Sequence, residues 1–245
     1  MQHLGLTLST IATVVLGACS LPSNETGEAL GRTGQGVAMS GGDGGARNAC
    51  FTCHGLDGQG DGVSVPRLAG LDAGYLQKQM EDYASDIRHD ATMTPIARRL
   101  DQRQRRAVAQ WYAMMPAPAS NVAPSPAPAV WMRGDPSRGV PACAACHGPS
   151  GLGVGPGNPA IAGQPSAYTI DQIERWRKAE RRNDPRSVMA QAVAGLTDAE
   201  TVAIARWLER QPASPAPDTD AATVSASASA AARPAPLHEA RRRDR

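Results

Sequence analysis

Apolar and polar positions along this chain follow a helical rhythm, and the same rhythm is written twice. Tyr75, Leu76, Gln79, Met80 and Tyr83 share one face at helical spacing, and Tyr168, Ile170, Ile173 and Trp176 do so further on. A later amphipathic stretch carries Val108, Trp111 and Tyr112 in the first region, and Val202, Ile204, Ala205 and Leu208 in the second. The spacing predicts a helix for each, and both start at a cap. Asp101 opens the first, and Thr197 with Glu200 three residues on forms a capping box for the second. No run alternates as a strand does. The predicted fold class is mainly α, as two tandem small helical domains with long loops.

Composition divides the chain further. Leu4 to Ala18 is apolar, too short to span a bilayer comfortably and of the length of a signal peptide, assigned to residues 1–18. Residues 19–45 are rich in Gly and Ser and read as a flexible tether. Domain 1 is placed at 46–115 and domain 2 at 131–211, joined by a Pro/Ala-rich linker at 116–130 in which proline removes the amides that helix and sheet require. Residues 212–245, ending in Arg241-Arg242-Arg243, lack the apolar content to fold alone and read as a disordered basic tail.

The two domains repeat each other in register. Cys50, Cys53 and His54 recur 93 residues later as Cys143, Cys146 and His147, and the same offset carries Pro66 to Pro159, Tyr75 to Tyr168, Gln79 to Gln172 and Arg88 to Arg181. After a three-residue insertion the offset is 96, taking Met93 to Met189 and Trp111 to Trp207. This is a duplicated module.

Five cysteines then decide the chemistry. Cys50-Phe51-Thr52-Cys53-His54 and Cys143-Ala144-Ala145-Cys146-His147 both have the spacing of covalent c-type haem attachment. Two thiols three positions apart on one helical turn reach the two vinyl groups, and the adjacent His points at the iron. Zinc ribbons space their cysteine pairs more closely, and a redox dithiol does not call for a His after both pairs. A chain only 4% aromatic also leaves its interior to be filled by something else, such as a large planar cofactor. The fifth cysteine, in Leu16-Gly17-Ala18-Cys19, resembles the lipidation site of bacterial lipoproteins, although no Lys or Arg precedes it. It predicts an exported, periplasmic protein anchored to a membrane by lipid at Cys19. A formal charge of +2 gives no reason to expect nucleic acid as a partner.

Met93 and Met189 recur in phase and are candidate sixth ligands, since a thioether favours ferrous iron and raises its potential. Met80, Met114 and Met115 are read as core fillers, and His89, without a counterpart, as a surface residue. Arg175, Arg177, Arg181 and Arg182 read as a solvated helix face, with the in-phase pair Arg88 and Arg181 ranked first for contact with haem propionates.

Taken together, the Cys-x-x-Cys-His-Gly segment, Pro66-Arg67-Leu68-Ala69-Gly70, Tyr75-Leu76-x-x-Gln79, Met93-Thr94-Pro95 and Trp111-Tyr112 resemble the cytochrome c4 family of dihaem cytochromes. Over residues 46–211 the resemblance implies two cytochrome c-type domains with two covalently attached haem c groups. It implies His54 and Met93 as axial ligands of one iron and His147 and Met189 of the other, with the Pro66 and Pro159 carbonyls bonded to the two imidazoles. Six-coordinate irons imply an electron carrier rather than an enzyme. Its expected partners are a quinol-oxidising cytochrome complex, a periplasmic dehydrogenase or a terminal oxidase. The alternatives are a cytochrome subunit of a dehydrogenase complex and, against the symmetry of the repeat, a dihaem peroxidase.

Overall fold

The computed structural model describes residues 31–118, 125–155 and 157–214. The leader with Cys19, the start of the expected tether, residues 119–124 of the linker and the basic tail beyond 214 lie outside the described residues. The first half contains α1 (Gly34–Ser40), α2 (Phe51–His54), α3 (Ala73–Ala84), α4 (Met93–Arg99) and α5 (Gln102–Met114). The second contains α6 (Ala129–Arg133), α7 (Ala144–His147), α8 (Ser166–Arg177), α9 (Val188–Ala194) and α10 (Asp198–Glu209). In the first half α5 packs on α1 and α3, and α4 on α3; in the second, α8 packs on α9 and α10. Among the described residues β structure is limited to two isolated bridges.

Local chemistry sets the helix ends. Asp101 and Gln104 cap α5 reciprocally, and Thr197 and Glu200 do the same for α10, each pair satisfying amides that a helix start leaves open. Asp72 accepts from the Tyr75 N–H to start α3. The three-residue insertion of the second half folds as a tight turn at Pro185–Ser187, with Arg186 and Ser187 in the left-handed region at φ 57° and 56°.

The structure departs from the sequence reading in two segments outside the expected domains. Residues 34–45, assigned to the flexible tether, hold α1, whose Val37 and Ala38 are fully buried. The glycine content that suggested a tether is a packing requirement: a Cβ at Gly34 would lie 2.2 Å from the Ala107 carbonyl oxygen of α5. The expected linker is also docked at both ends. Ala117 lies against Gly70, Ala127 packs on the second core, and the Trp207 indole donates to the Ser125 carbonyl at 2.9 Å.

Each half has its own apolar core. Val37, Leu71, Leu76, Leu100, Val108 and Tyr112 fill the first. Trp131, Val140, Ile173, Leu196, Trp207 and Leu208 are prominent in the second. Met80 and Met115 pack at the edge of the first core as expected, but Met114 is 75% exposed, because α5 turns that position away from both α1 and α3.

Between the halves lies a buried polar layer. Arg88 donates to Gln79 Oε1 at 2.8 Å and to Gln172 Oε1 at 2.6 Å, while Arg181 donates to Gln172 Oε1 at 2.6 Å and to Gln79 Oε1 at 3.3 Å. Asn183 adds bonds to Gln79 and Asp82, and Lys78 donates to the Asn183 carbonyl. Arg88 also stacks 4.6 Å from the Tyr83 ring centroid, and Arg181 4.1 Å from that of Trp176. These two arginines, expected at haem propionates, are buried between the halves and donate to Gln79, Gln172, Tyr168 and Asn183. Buried guanidinium groups persist only where their donors are met.

Candidate haem sites

Each attachment motif forms one short turn of helix, α2 or α7, with both thiols and the imidazole projecting from it. A glycine ends the turn in the same backbone shape, Gly55 at φ 78° and Gly148 at φ 78°. The following loop comes back over the turn. Gly60 N–H donates to His54 O at 2.9 Å and Gly153 N–H to His147 O at 2.8 Å. At Gly60 a Cβ would sit 2.2 Å from the Val65 carbonyl oxygen, so only glycine fits that return.

The imidazoles are buried and oriented identically. His54 Nδ1 donates to the Pro66 carbonyl at 2.9 Å, and His147 Nδ1 to the Pro159 carbonyl at 2.9 Å. That bond selects the tautomer and leaves Nε2 as the atom able to meet a metal. Burial holds both imidazoles below the ordinary histidine pKa, against the upward pull of the proline carbonyls, so each is neutral near pH 7. The thiols differ in exposure. Cys50 and Cys143 are half-buried while Cys53 and Cys146 are exposed, and burial pushes the Cys50 thiol up to about 11.

Met93 is the first residue of α4 and Met189 the second of α9. Both helix starts are held by a carboxylate: Met93 N–H donates to Asp90 Oδ1 at 2.8 Å and Met189 N–H to Asp184 Oδ2 at 2.8 Å. Each Met backbone is therefore fixed in place.

The residues present fit haem. The donor set of each half is a neutral, oriented imidazole, two cysteines on one turn and a thioether. Trp111 Nε1, Trp176 Nε1 and Tyr112 Oη are buried without a protein partner among the described residues, and a haem's carboxylates are acceptors for such donors. A cavity of about 390 Å³ lies beside α9, lined by Trp176, Arg177, Ala190, Gln191 and Ala194.

The cytochrome c family model matches the chain at residues 42–122 and 140–211. The cytochrome c4 of Thiocapsa roseopersicina is 35% identical over 67% of this chain and 88% of its own length. The chain belongs to the cytochrome c family, among its dihaem cytochromes c4. It carries two covalently attached haem c groups and transfers electrons. A thiosulfate dehydrogenase electron acceptor of Stutzerimonas stutzeri is 39% identical over 74% of this chain and 87% of its own length. Among solved structures, reduced cytochrome c4 of Pseudomonas stutzeri superimposes with a TM-score of 0.63 at 26% identity, over 77% of this chain and 98% of that one. The thiosulfate dehydrogenase of Marichromatium purpuratum gives a TM-score of 0.62 at 34% identity over 79% of this chain, and this chain spans 43% of that protein's length.

In this dihaem cytochrome each imidazole shares a turn with its own two cysteines, His54 is bonded to the Pro66 carbonyl and His147 to that of Pro159. His89 lies at the surface, paired with Asp86. Sequence reasoning missed α1, although the 93-residue offset reaches it: Val37, Met39 and Gly41 recur as Val130, Met132 and Gly134 of α6 and its cap. Trp131, beside them, was also missed, and its ring lies 6.4 Å from His147 and 4.9 Å from Trp207 between centroids.

Proposed function

We propose that this cytochrome is the electron acceptor of a thiosulfate-oxidising dehydrogenase, working outside the cytoplasm and passing electrons on toward a terminal oxidase. The observation that carries the partner is the 39% identity to a protein named for that role, over most of both chains. The relatives named cytochrome c4 support the wider reading as an electron carrier, with a quinol-oxidising complex as the alternative donor. The apolar leader ending in Cys19 supports export and attachment to a membrane by lipid.

Haem iron supplies a reversible one-electron change when bound. In this reading the residues do the rest. His54 and His147 would each hold an iron through Nε2, and Met93 and Met189 would supply its second protein ligand, which would leave no place for a substrate to bind. The proline carbonyls fix the imidazole planes, so little rearrangement accompanies a change of charge. The exposed Cys53 and Cys146 place one edge of each site at the surface, where a partner can approach. The sites are matched, which speaks for a carrier and against a peroxidase, whose two haems must differ.

Mixing the oxidised protein with a thiosulfate dehydrogenase and thiosulfate tests the partner: rapid haem reduction that requires both additions is expected, and its absence overturns the assignment. Met189→Ala is expected to abolish the red absorption band of thioether-bound ferric iron at one haem, while Met80→Ala leaves both bands intact. Refusal of carbon monoxide by both haems is expected of the carrier, whereas binding at one favours the peroxidase. Cys19→Ser is expected to move the protein from the membrane to the soluble fraction.

A further inference from the structure

Pro66 and Arg67 share a peptide that stands between the two halves. Its carbonyl accepts from His54 Nδ1 at 2.9 Å, and its N–H donates to Gln164 Oε1 of the second half at 3.0 Å. Gln164 Nε2 donates in turn to the Arg67 carbonyl at 2.9 Å, so one amide grips Arg67 at both backbone groups. The Arg67 side chain is fully buried and locks the same loop by donating to the Ala69 carbonyl and, at 3.0 Å, to the Ala162 carbonyl across the interface.

The duplicate lacks this arrangement. At the 93-residue offset Arg67 becomes Ala160, and Gln164 corresponds to Leu71. A leucine side chain offers no acceptor to the Ala160 N–H. In place of a grip there is a cleft of about 450 Å³ between the halves, with Leu71 on one wall and Pro159 and Ala160 on the other.

We infer that Gln164, a residue of the second half, sets the electron affinity of the first haem by acting on His54 through the Pro66–Arg67 peptide. The inference rests on reading His54 as an axial ligand. Hydrogen bonds in series polarise one another. An acceptor on the Arg67 N–H makes the Pro66 carbonyl a stronger acceptor, which enriches the imidazole and stabilises the ferric iron it binds. The second haem has no such relay, so docking of the halves tunes one site and spares the other. Gln164 is a positioning residue: it touches neither haem ligand.

The test uses the mature full chain with both haems, confirmed by mass spectrometry, and a spectroelectrochemical titration in which axial-ligand proton resonances tell the haems apart. Gln164→Leu is expected to raise the first potential alone, shifting electron partition about tenfold toward that haem, which is 59 mV for one electron. The reciprocal Leu71→Gln, at a buried core position that also lines the cleft and so first checked for an unchanged Soret denaturation curve, is expected to lower the second potential alone. An unmoved first potential, equal movement of both, or an unmoved second potential in Leu71→Gln overturns the inference. A mature protein without haem at Cys50 and Cys53 would instead overturn the reading of the site itself.

Discussion

The two halves share a topology and fill it by different means. In the first, a glycine-bearing helix lies directly on α5, and small side chains, Val37 and Ala38, complete the core. In the second, Trp131 stands at the position of Ala38, wedged between His147 and Trp207 with its indole donating to the Pro149 carbonyl at 3.0 Å. The loops after the haem motifs differ in the same spirit. Asp61 closes the first by accepting from the Val63, Ser64 and Val65 amides, which hold its carboxyl down to about 2. The second closes on itself through Val154 and Asn158. A duplicated module therefore keeps the geometry at the imidazole while its supports diverge freely.

The sharpest way to break this comparison is at the wedge. Trp131→Ala is expected to destabilise the second half by about 3–5 kcal/mol, the range for truncating a buried aromatic. Ala38→Gly, at the matching place, removes only a methyl group. Denaturant titration followed through the Soret absorbance of both variants checks the contrast. If Trp131→Ala leaves the curve unchanged, the aromatic wedge is not what supports the second site.

Next in size is the interface that both halves contribute to. Arg181→Met is expected to cost about 1–3 kcal/mol by leaving buried glutamine oxygens short of a donor. Arg88→Met should cost a similar amount, since each arginine meets the same two oxygens. A large difference between the two would show that one half dominates the contact.

The smallest effect compares the capping boxes. Glu200 is drawn down to about 2, first by the Arg138 guanidinium and then by the Thr197 amide. Its folded pKa is depressed below an unfolded value of about 4.3, so its stabilisation is present above that pH and fades as pH falls toward about 2. The pair is near the surface, and the effect is about 0.2–1 kcal/mol. Gln104 plays the same part in the first half without a charge. Glu200→Gln should therefore flatten part of the acid dependence of the second half, as read by unfolding at pH 3 and pH 6.

How much of this was visible in the chain depended on how local each signal was. The attachment turns, the Asp101 cap and the Thr197–Glu200 capping box rest on contacts within a few residues, or on a motif repeated in phase, and were legible. The proline carbonyls came from the family resemblance, and the Gln104 half of the first capping box was not read. The helix α1 was hidden because glycine signals flexibility in isolation and close approach only when its neighbour is known, here Ala107. Arg88 and Arg181 were singled out by their phase but assigned to haem propionates, because each also bonds the glutamine of the other half, across a boundary that no periodicity reveals. Trp131 sat just past a proline-rich run and was read only as the beginning of a domain.

The exchange between Arg88, Arg181, Gln79 and Gln172 has one more consequence. Each arginine bonds the glutamine of its own half and that of the other, so the pattern maps onto itself when the halves are swapped. That is the form of an isologous contact between identical subunits. A single ancestral module bearing one such glutamine and one such arginine would already own both sides of it, and could pair with its twin before any gene fusion. Within one chain that pairing is independent of concentration.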